Sequence, residues 1–306
     1  MSAPGPVAAI DLGTNSTRML VVDANGQALE RLMHITRLGQ GVDRTGSLSE
    51  EAMERTIGVL AQFRTRMDDL GVVRVRATAT SAARDADNEG AFARKVAAVL
   101  NTAPEVLAGE EEAYLTYLGA TSELDPAGGP YLVIDVGGGS TELVGGRPPG
   151  LHAVSLEMGC VRITERFLVH DPPRQSELGA ARRYVHELVA AAVESQGELS
   201  GAATLIGVAG TVSALTRLDQ GLVSYDRSRI HHAPLSLAVV EHLFGELAGL
   251  SVAGRRSLPA LETERADVIV GGTAVLAEAI VVLGFEALVV SESDLLDGVA
   301  AELLAG

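Results

Sequence analysis

The octapeptide IDLGTNST at residues 10–17 returns as IDVGGGST at residues 134–141. Asp11 falls on Asp135, Gly13 on Gly137, Ser16 on Ser140 and Thr17 on Thr141. Each copy follows an apolar run, VAAI or YLVI, and leads into another, so each reads as strand, glycine-rich turn, strand. A repeat so far apart in one chain predicts two similar halves, each opening on the same hairpin. Whatever the fold, it has to carry this loop twice.

The rest of the sequence fits that frame. LSEEAMERTIGVLAQFRTRMDDLG predicts a helix capped by Ser49 and stopped at Gly71. VVRVRATAT predicts a strand, SAARDADN a polar turn, EGAFARKVAAVLNTA a helix, EVLAG a short strand and EEEAYLTYLGATSEL another helix. DPAGGP at residues 125–130 is the best junction, giving domains 1–126 and 127–306, with the last helix a candidate to pack back on the first. The second half adds helices around VRITERFL and SELGAARRYVHELVAAAVES, the strand LIGVAG, the helix TVSALTRL and an irregular stretch around SYDRSRIHHAP. Helices alternating with strands in both halves predict an α/β fold with mixed sheets. Residues 268–285 are apolar, but Gly271, Gly272, Thr273 and Glu278 interrupt them, so they predict a buried helix rather than a membrane span.

Composition narrows the function. A chain of 306 residues with 47% hydrophobic content can build two ordinary cores. The formal net charge of −16 argues against nucleic acid, which needs a basic face. Cys160 is the single cysteine, so no intramolecular disulfide forms and a reducing cytoplasm fits. The N-terminal MSAPGPVAAID has neither the basic start nor the long apolar run of a signal peptide.

An aspartate ending a strand, followed by glycines and hydroxyls, suits phosphate. Glycines let backbone N–H groups approach an anion, and hydroxyls add donors. The carboxylate would repel phosphate unless a cation lies between them, so Asp11 or Asp135 suggests Mg²⁺. The plain alternative is that glycine turns merely join strands. Two copies and a third strand-to-glycine turn, LIGVAGT at residues 205–211, weigh against it.

Together these stretches resemble the superfamily of actin, Hsp70 and the sugar and acetate kinases. Within it the chain resembles the Ppx/GppA family of exopolyphosphatases and guanosine pentaphosphate phosphatases. The resemblance rests on IDLGTNSTRMLVVD, RLGQGVDRTGSLSEEAMERT, ATSAARDADN, GEEEAYLTYLGA, LVIDVGGGSTELV, MGCVRITERF, GVAGTVSAL, RADVIVGGTAVL and SESDLLDGVAAELL, nearly the whole chain. It implies two ribonuclease-H-like, actin-like ATPase domains with mixed sheets and an interdomain cleft. It also implies a short, two-domain form that works as a homodimer.

The resemblance assigns roles by residue. Glu112, last of the glutamates in GEEEA, is the expected general base, although all three glutamates also suit a helix N-terminus. Arg84 is expected near the transferred phosphate, where a guanidinium stabilises developing charge. Asp135 and Glu142 are the expected ligands of Mg²⁺, with Mn²⁺ as the alternative ion. Gly137, Gly138, Gly139 and Ser140 are expected on phosphate, with Asp11, Gly13, Thr14, Asn15 and Ser16 playing the parallel part. Apart from the family motifs, Gly210 and Thr211 of the third glycine turn and Arg229 in YDRSRI, a stretch that aligns poorly with the family, complete the expected phosphate set. The copies differ at Arg18 against Glu142, which suggests a phosphate-holding and a metal-holding arm, unless Arg18 is simply solvated.

The expected reaction is Mg²⁺-dependent release of orthophosphate from inorganic polyphosphate. Short chains are favoured, because an acidic protein repels a long polyanion. The alternative substrate is guanosine pentaphosphate. A small-molecule kinase or a non-catalytic nucleotide-binding scaffold shares the hairpins. Cys160 is expected as a buried small residue, and the adjacent His231 and His232 lack the spacing of a zinc site.

Overall fold

The structure, a computed structural model, describes residues 5–147, 150–199 and 201–306. The chain divides into two compact units, one holding residues up to Gly119 and from Asp294 onward, the other Ala120–Ser293.

In the first unit β1 (Val7–Leu12), β2 (Ser16–Val22) and β3 (Ala28–Ile35) run antiparallel. Parallel to β1 lies β4 (Arg74–Ala79), followed by β5 (Glu105–Val106), so the sheet order is β3-β2-β1-β4-β5. Short α1 (Val42–Thr45) and α3 (Ser81–Arg84) flank the longer α2 (Glu50–Asp69) and α4 (Glu89–Leu100). Ser49 Oγ caps α2 by accepting from the Ala52 N–H at 3.2 Å. Ala8, Ile10, Leu12, Met19 and Val21 form one core with Leu60, Phe63, Phe92 and Val96. The opposite face, Val7, Ala9, Leu20 and Val22, packs on α5 (Gly109–Thr121) and α13 (Leu295–Ala305) through Leu115, Leu295, Leu296 and Val299. A strand buried on both faces reads as an unbroken apolar run, hence VAAI. Asp11 and Arg18 share the parity of the face that meets α5 and α13.

The second unit repeats the plan. β6 (Tyr131–Val136), β7 (Thr141–Arg147) and β8 (Gly150–Leu156) run antiparallel, and β9 (Thr204–Val208) and β11 (Ala287–Val290) continue the sheet in parallel. The order β8-β7-β6-β9-β11 matches that of the first unit, with β10 (Pro234–Ser236) added antiparallel at the edge. Both sheets thus share the mixed, ribonuclease-H-like strand order, three antiparallel strands followed by two parallel ones. The connecting helices are α6 (Cys160–Phe167), α7 (Gln175–Ser195), α8 (Ala209–Asp219), α9 (Arg227–Ile230), α10 (Leu237–Gly249), α11 (Val252–Arg256) and α12 (Ile269–Leu283). Buried from Ile269 to Ile280, α12 accounts for the apolar stretch near the C-terminus. No helix among the described residues is long and apolar enough to cross a membrane.

Candidate active site

The first loop joins β1 to β2 across the pair Leu12–Thr17, and the Gly13 N–H closes it on the Ser16 carbonyl at 3.0 Å. Its other carbonyls are occupied from outside. Thr14 O accepts from the Gly39 N–H at 2.8 Å, and Asn15 O accepts from the Thr36 and Arg37 N–H groups at 3.1 and 2.9 Å. With the carbonyls turned that way, the N–H groups of Thr14 and Asn15 donate to nothing in the protein, among the described residues. Asn15 Nδ2 is buried without a partner, as is Asp11 Oδ1. A buried polar atom left unpaired costs about 1–3 kcal/mol, so this pair makes the loop a candidate ligand site.

The second loop spans Val136–Thr141 and is held the same way by a different element. The first turn of α6 donates backbone N–H groups from Cys160 to Gly137 O and from Val161 to Gly138 O, both at 2.9 Å. Arg162 Nε adds a bond to Gly139 O at 2.8 Å. Again the carbonyls are taken, and the N–H groups of Gly138 and Gly139 have no protein acceptor among the described residues. Ser140 is buried beside them. Both loops therefore present a donor edge, which is what a phosphate group needs.

The strand register explains the difference in charge between the copies. Asp11 lies opposite Arg18 and Asp135 opposite Glu142, so each pair shares one face of its sheet. Arg18 is not solvated: its Nε and Nη2 both donate to Asp11 Oδ2, at 2.9 and 2.8 Å. Burial pushes the Asp11 carboxyl above its ordinary value despite Arg18, and the nearby Asp294 charge adds to the rise. In the second unit two buried carboxylates face each other instead, Asp135 at 6% and Glu142 at 1% exposure, with Ser155 Oγ donating to Glu142 at 2.7 Å.

Glu112 separates itself from its neighbours. Glu110 and Glu111 are exposed, whereas Glu112, in the first turn of α5, is only 7% exposed. Arg84 Nη1 lies 3.5 Å from Glu112 Oε2 and donates to the Leu107 carbonyl at 2.9 Å. The short α3 that carries Arg84 is fastened to the first loop, because the Ala82 N–H donates to Thr14 Oγ1 at 3.2 Å. The first loop, Arg84 and Glu112 are thus one connected group within the first unit.

The third turn follows β9, whose Val208 pairs with Asp135, so it emerges beside the second loop. Ala209 takes φ 71°, a left-handed conformation that costs an alanine about 1–2 kcal/mol and marks the turn as constrained. Gly210 receives the Arg265 guanidinium, whose atoms lie 2.1–2.3 Å from where a Cβ would stand, so a larger residue would have to displace it. Glu262 bridges Arg265 and Arg217, accepting from Arg217 Nη1 at 2.7 Å. Sequence reasoning passed over Arg265, although RADVIVGG contains it; only the packing on Gly210 singles it out. Thr211 is buried in the first turn of α8.

The remaining expectations separate. Arg229 is exposed on the short α9; its neighbour Arg227 makes the contacts there, to Glu123 at 2.8 Å and to Ser293 at 2.9 Å. Burial pushes the Cys160 thiol up to about 11, so it is inert at neutral pH. His231 and His232 stack at 3.7 Å, and burial lowers His231 to about 4. No cluster of three or more His, Cys, Asp or Glu that could hold a metal occurs among the described residues.

Comparison with known proteins agrees on one family. The Ppx/GppA phosphatase family profile matches residues 9–305. A Mycobacterium tuberculosis protein named exopolyphosphatase 2 is 41% identical over 97% of this chain and 98% of its own. The crystal structure of an exopolyphosphatase-like protein superposes with a TM-score of 0.91 at 34% identity, covering 98% of this chain and 99% of that one. An Aquifex aeolicus Ppx/GppA structure gives a TM-score of 0.81 at 30% identity, covering 98% of both chains. With the profile spanning nearly every residue and close relatives matched end to end, the chain belongs to the Ppx/GppA phosphatase family.

Proposed function

We propose that this protein is a divalent-cation-dependent exopolyphosphatase, releasing orthophosphate by hydrolysing the terminal phosphoanhydride of inorganic polyphosphate. The observation that carries the reading is Glu112. Among adjacent glutamates it alone is buried, within 3.5 Å of Arg84 and joined through α3 to a loop of unused donors. A carboxylate that served only the helix dipole would stay in water, as Glu110 and Glu111 do. The exopolyphosphatase 2 relative supports polyphosphate as the substrate.

In this reading the donor edges of the loops bind phosphate oxygens and Arg84 stabilises charge on the transferred phosphoryl group. Glu112 orients a water in line with the terminal phosphorus and takes its proton. The bond between that phosphorus and the bridging oxygen breaks, giving orthophosphate and a chain one unit shorter. Asp135 and Glu142 would hold the cation, Mg²⁺ or Mn²⁺; their opposed, buried carboxylates fit a hard ion that keeps waters and substrate oxygens as its other ligands. Bound there, it supplies charge neutralisation for the phosphate chain. Replacing Glu142 by Gln is expected to raise the Mg²⁺ concentration for half-maximal activity by about tenfold or more. A Mg²⁺ titration of activity unchanged by the substitution would remove Glu142 from the ligand set.

The net charge of −16 supports a preference for short chains. Tripolyphosphate, chains of several hundred units, guanosine pentaphosphate and ATP, offered separately with Mg²⁺, test substrate and length together. Faster release per end from the short chains is expected. Release from guanosine pentaphosphate alone would replace polyphosphate as the substrate, and activity rising steadily with length would refute the length preference. We place the protein in the cytoplasm, on its single buried cysteine, and take it as a homodimer, which sedimentation would test.

A further inference from the structure

The stretch SESDLLDG, which the reaction leaves unused, ends in the first unit beside the first phosphate loop. Arg18 Nη1 donates to Asp294 Oδ2, while its other two donors rest on Asp11 Oδ2. Arg31 closes the far side, donating to Asp297 Oδ1 at 2.6 Å and lying 3.8 Å from Asp294 Oδ1. Burial pushes Asp294 upward, and Arg18 and Arg31 more than reverse it, so it stands ionised below the usual range. Asp294 is also the N-cap of α13: Oδ1 accepts from the Leu296 N–H at 3.0 Å, and Asp297 returns a carboxylate oxygen to the Asp294 N–H at 2.8 Å. The capping box alone would be satisfied by Oδ1; Oδ2 is spent on an arginine 276 residues away in sequence.

The consequence falls on Asp11. A guanidinium held from one side only could rotate and share its donors between both Asp11 oxygens. Pinned by Asp294, it takes Oδ2 twice and leaves Oδ1 buried and unpaired. We propose that Asp294 is a positioning residue for the first phosphate loop, acting through Arg18 to keep Asp11 Oδ1 directed at a cation that would lie between it and a phosphate bound to that loop. This rests on the reading of that loop as a phosphate site.

Asp294→Asn separates positioning from capping, since asparagine caps a helix as well as aspartate does. Its amide N–H₂ would face the Arg18 donors in place of Oδ2. Tripolyphosphate affinity is measured calorimetrically with Mg²⁺ in proteins that also carry Glu112→Gln, so that turnover does not intrude. Asp294→Asn is expected to weaken binding about tenfold, close to the loss for one charged hydrogen bond. Arg18→Met is expected to do the same, and the double substitution no more than either alone. Thermal midpoints of all four proteins are recorded alongside. Affinity within twofold of the parent in Asp294→Asn, multiplying losses in the double variant, or a loss tracking only the thermal midpoint would each overturn the proposal. Failure of the wild type to release phosphate, with this binding pattern intact, would count against the hydrolase reading and not against Asp294.

Discussion

Glu112→Gln is expected to lower phosphate release about 10²–10⁴-fold while leaving the thermal midpoint and tripolyphosphate affinity close to wild type. Glutamine keeps the shape and an oxygen for Arg84, 3.5 Å away, but cannot take the water's proton. Glu111→Gln, one residue earlier and exposed, is expected to leave the rate within twofold, and it serves as the control for charge lost at the helix start. Steady-state release with Mg²⁺ measures both. A Glu112→Gln protein retaining a third or more of the activity would mean that another group accepts the proton.

Gly119→Ala is expected to destabilise the first unit by about 1–3 kcal/mol or more. In most helix interiors this change stabilises, by roughly 0.5–1 kcal/mol, so here the sign itself is informative. A Cβ on Gly119 would stand 1.9 Å from the Asp294 carbonyl oxygen and 2.9 Å from the Gly298 nitrogen. Gly298 answers from the other helix, its own Cβ position lying 2.0 Å from the Leu115 carbonyl oxygen. Helices α5 and α13 therefore meet backbone to backbone, and a methyl group has to force them apart. The displaced elements are the helix carrying Glu112 and the N-cap that pins Arg18, so activity is expected to fall with stability. Urea unfolding reads the effect; a midpoint moving upward would refute the close crossing.

Much of this was legible in the chain because it is written twice. The hairpins, the alternation of helices and strands and the three glycine turns follow from periodicity and turn chemistry. Each hairpin continues into an edge strand, β3 or β8, that the sequence did not separate: ALERLMHI mixes charge and apolar groups because an edge strand is only partly buried. Burial was the other missing quantity. EEE at residues 110–112 gives no sign of which glutamate is inside, and the answer comes from the packing of α5. Arg18 against Glu142 was visible as a difference, but its meaning lay in the partners, Asp294, far along the chain, for one and Ser155, on the next strand, for the other. Gly210 reads as a phosphate-loop glycine, and only the fold shows that Arg265 also packs on it.

Isotope transfer reads out which phosphorus the water attacks. Tripolyphosphate is incubated with the wild-type protein and Mg²⁺ in H₂¹⁸O, and the first products are analysed by mass spectrometry. Attack by water on the terminal phosphorus predicts one ¹⁸O in each released orthophosphate and none in the pyrophosphate left behind. Label in the pyrophosphate, or no orthophosphate at all while tripolyphosphate stays bound, would contradict it.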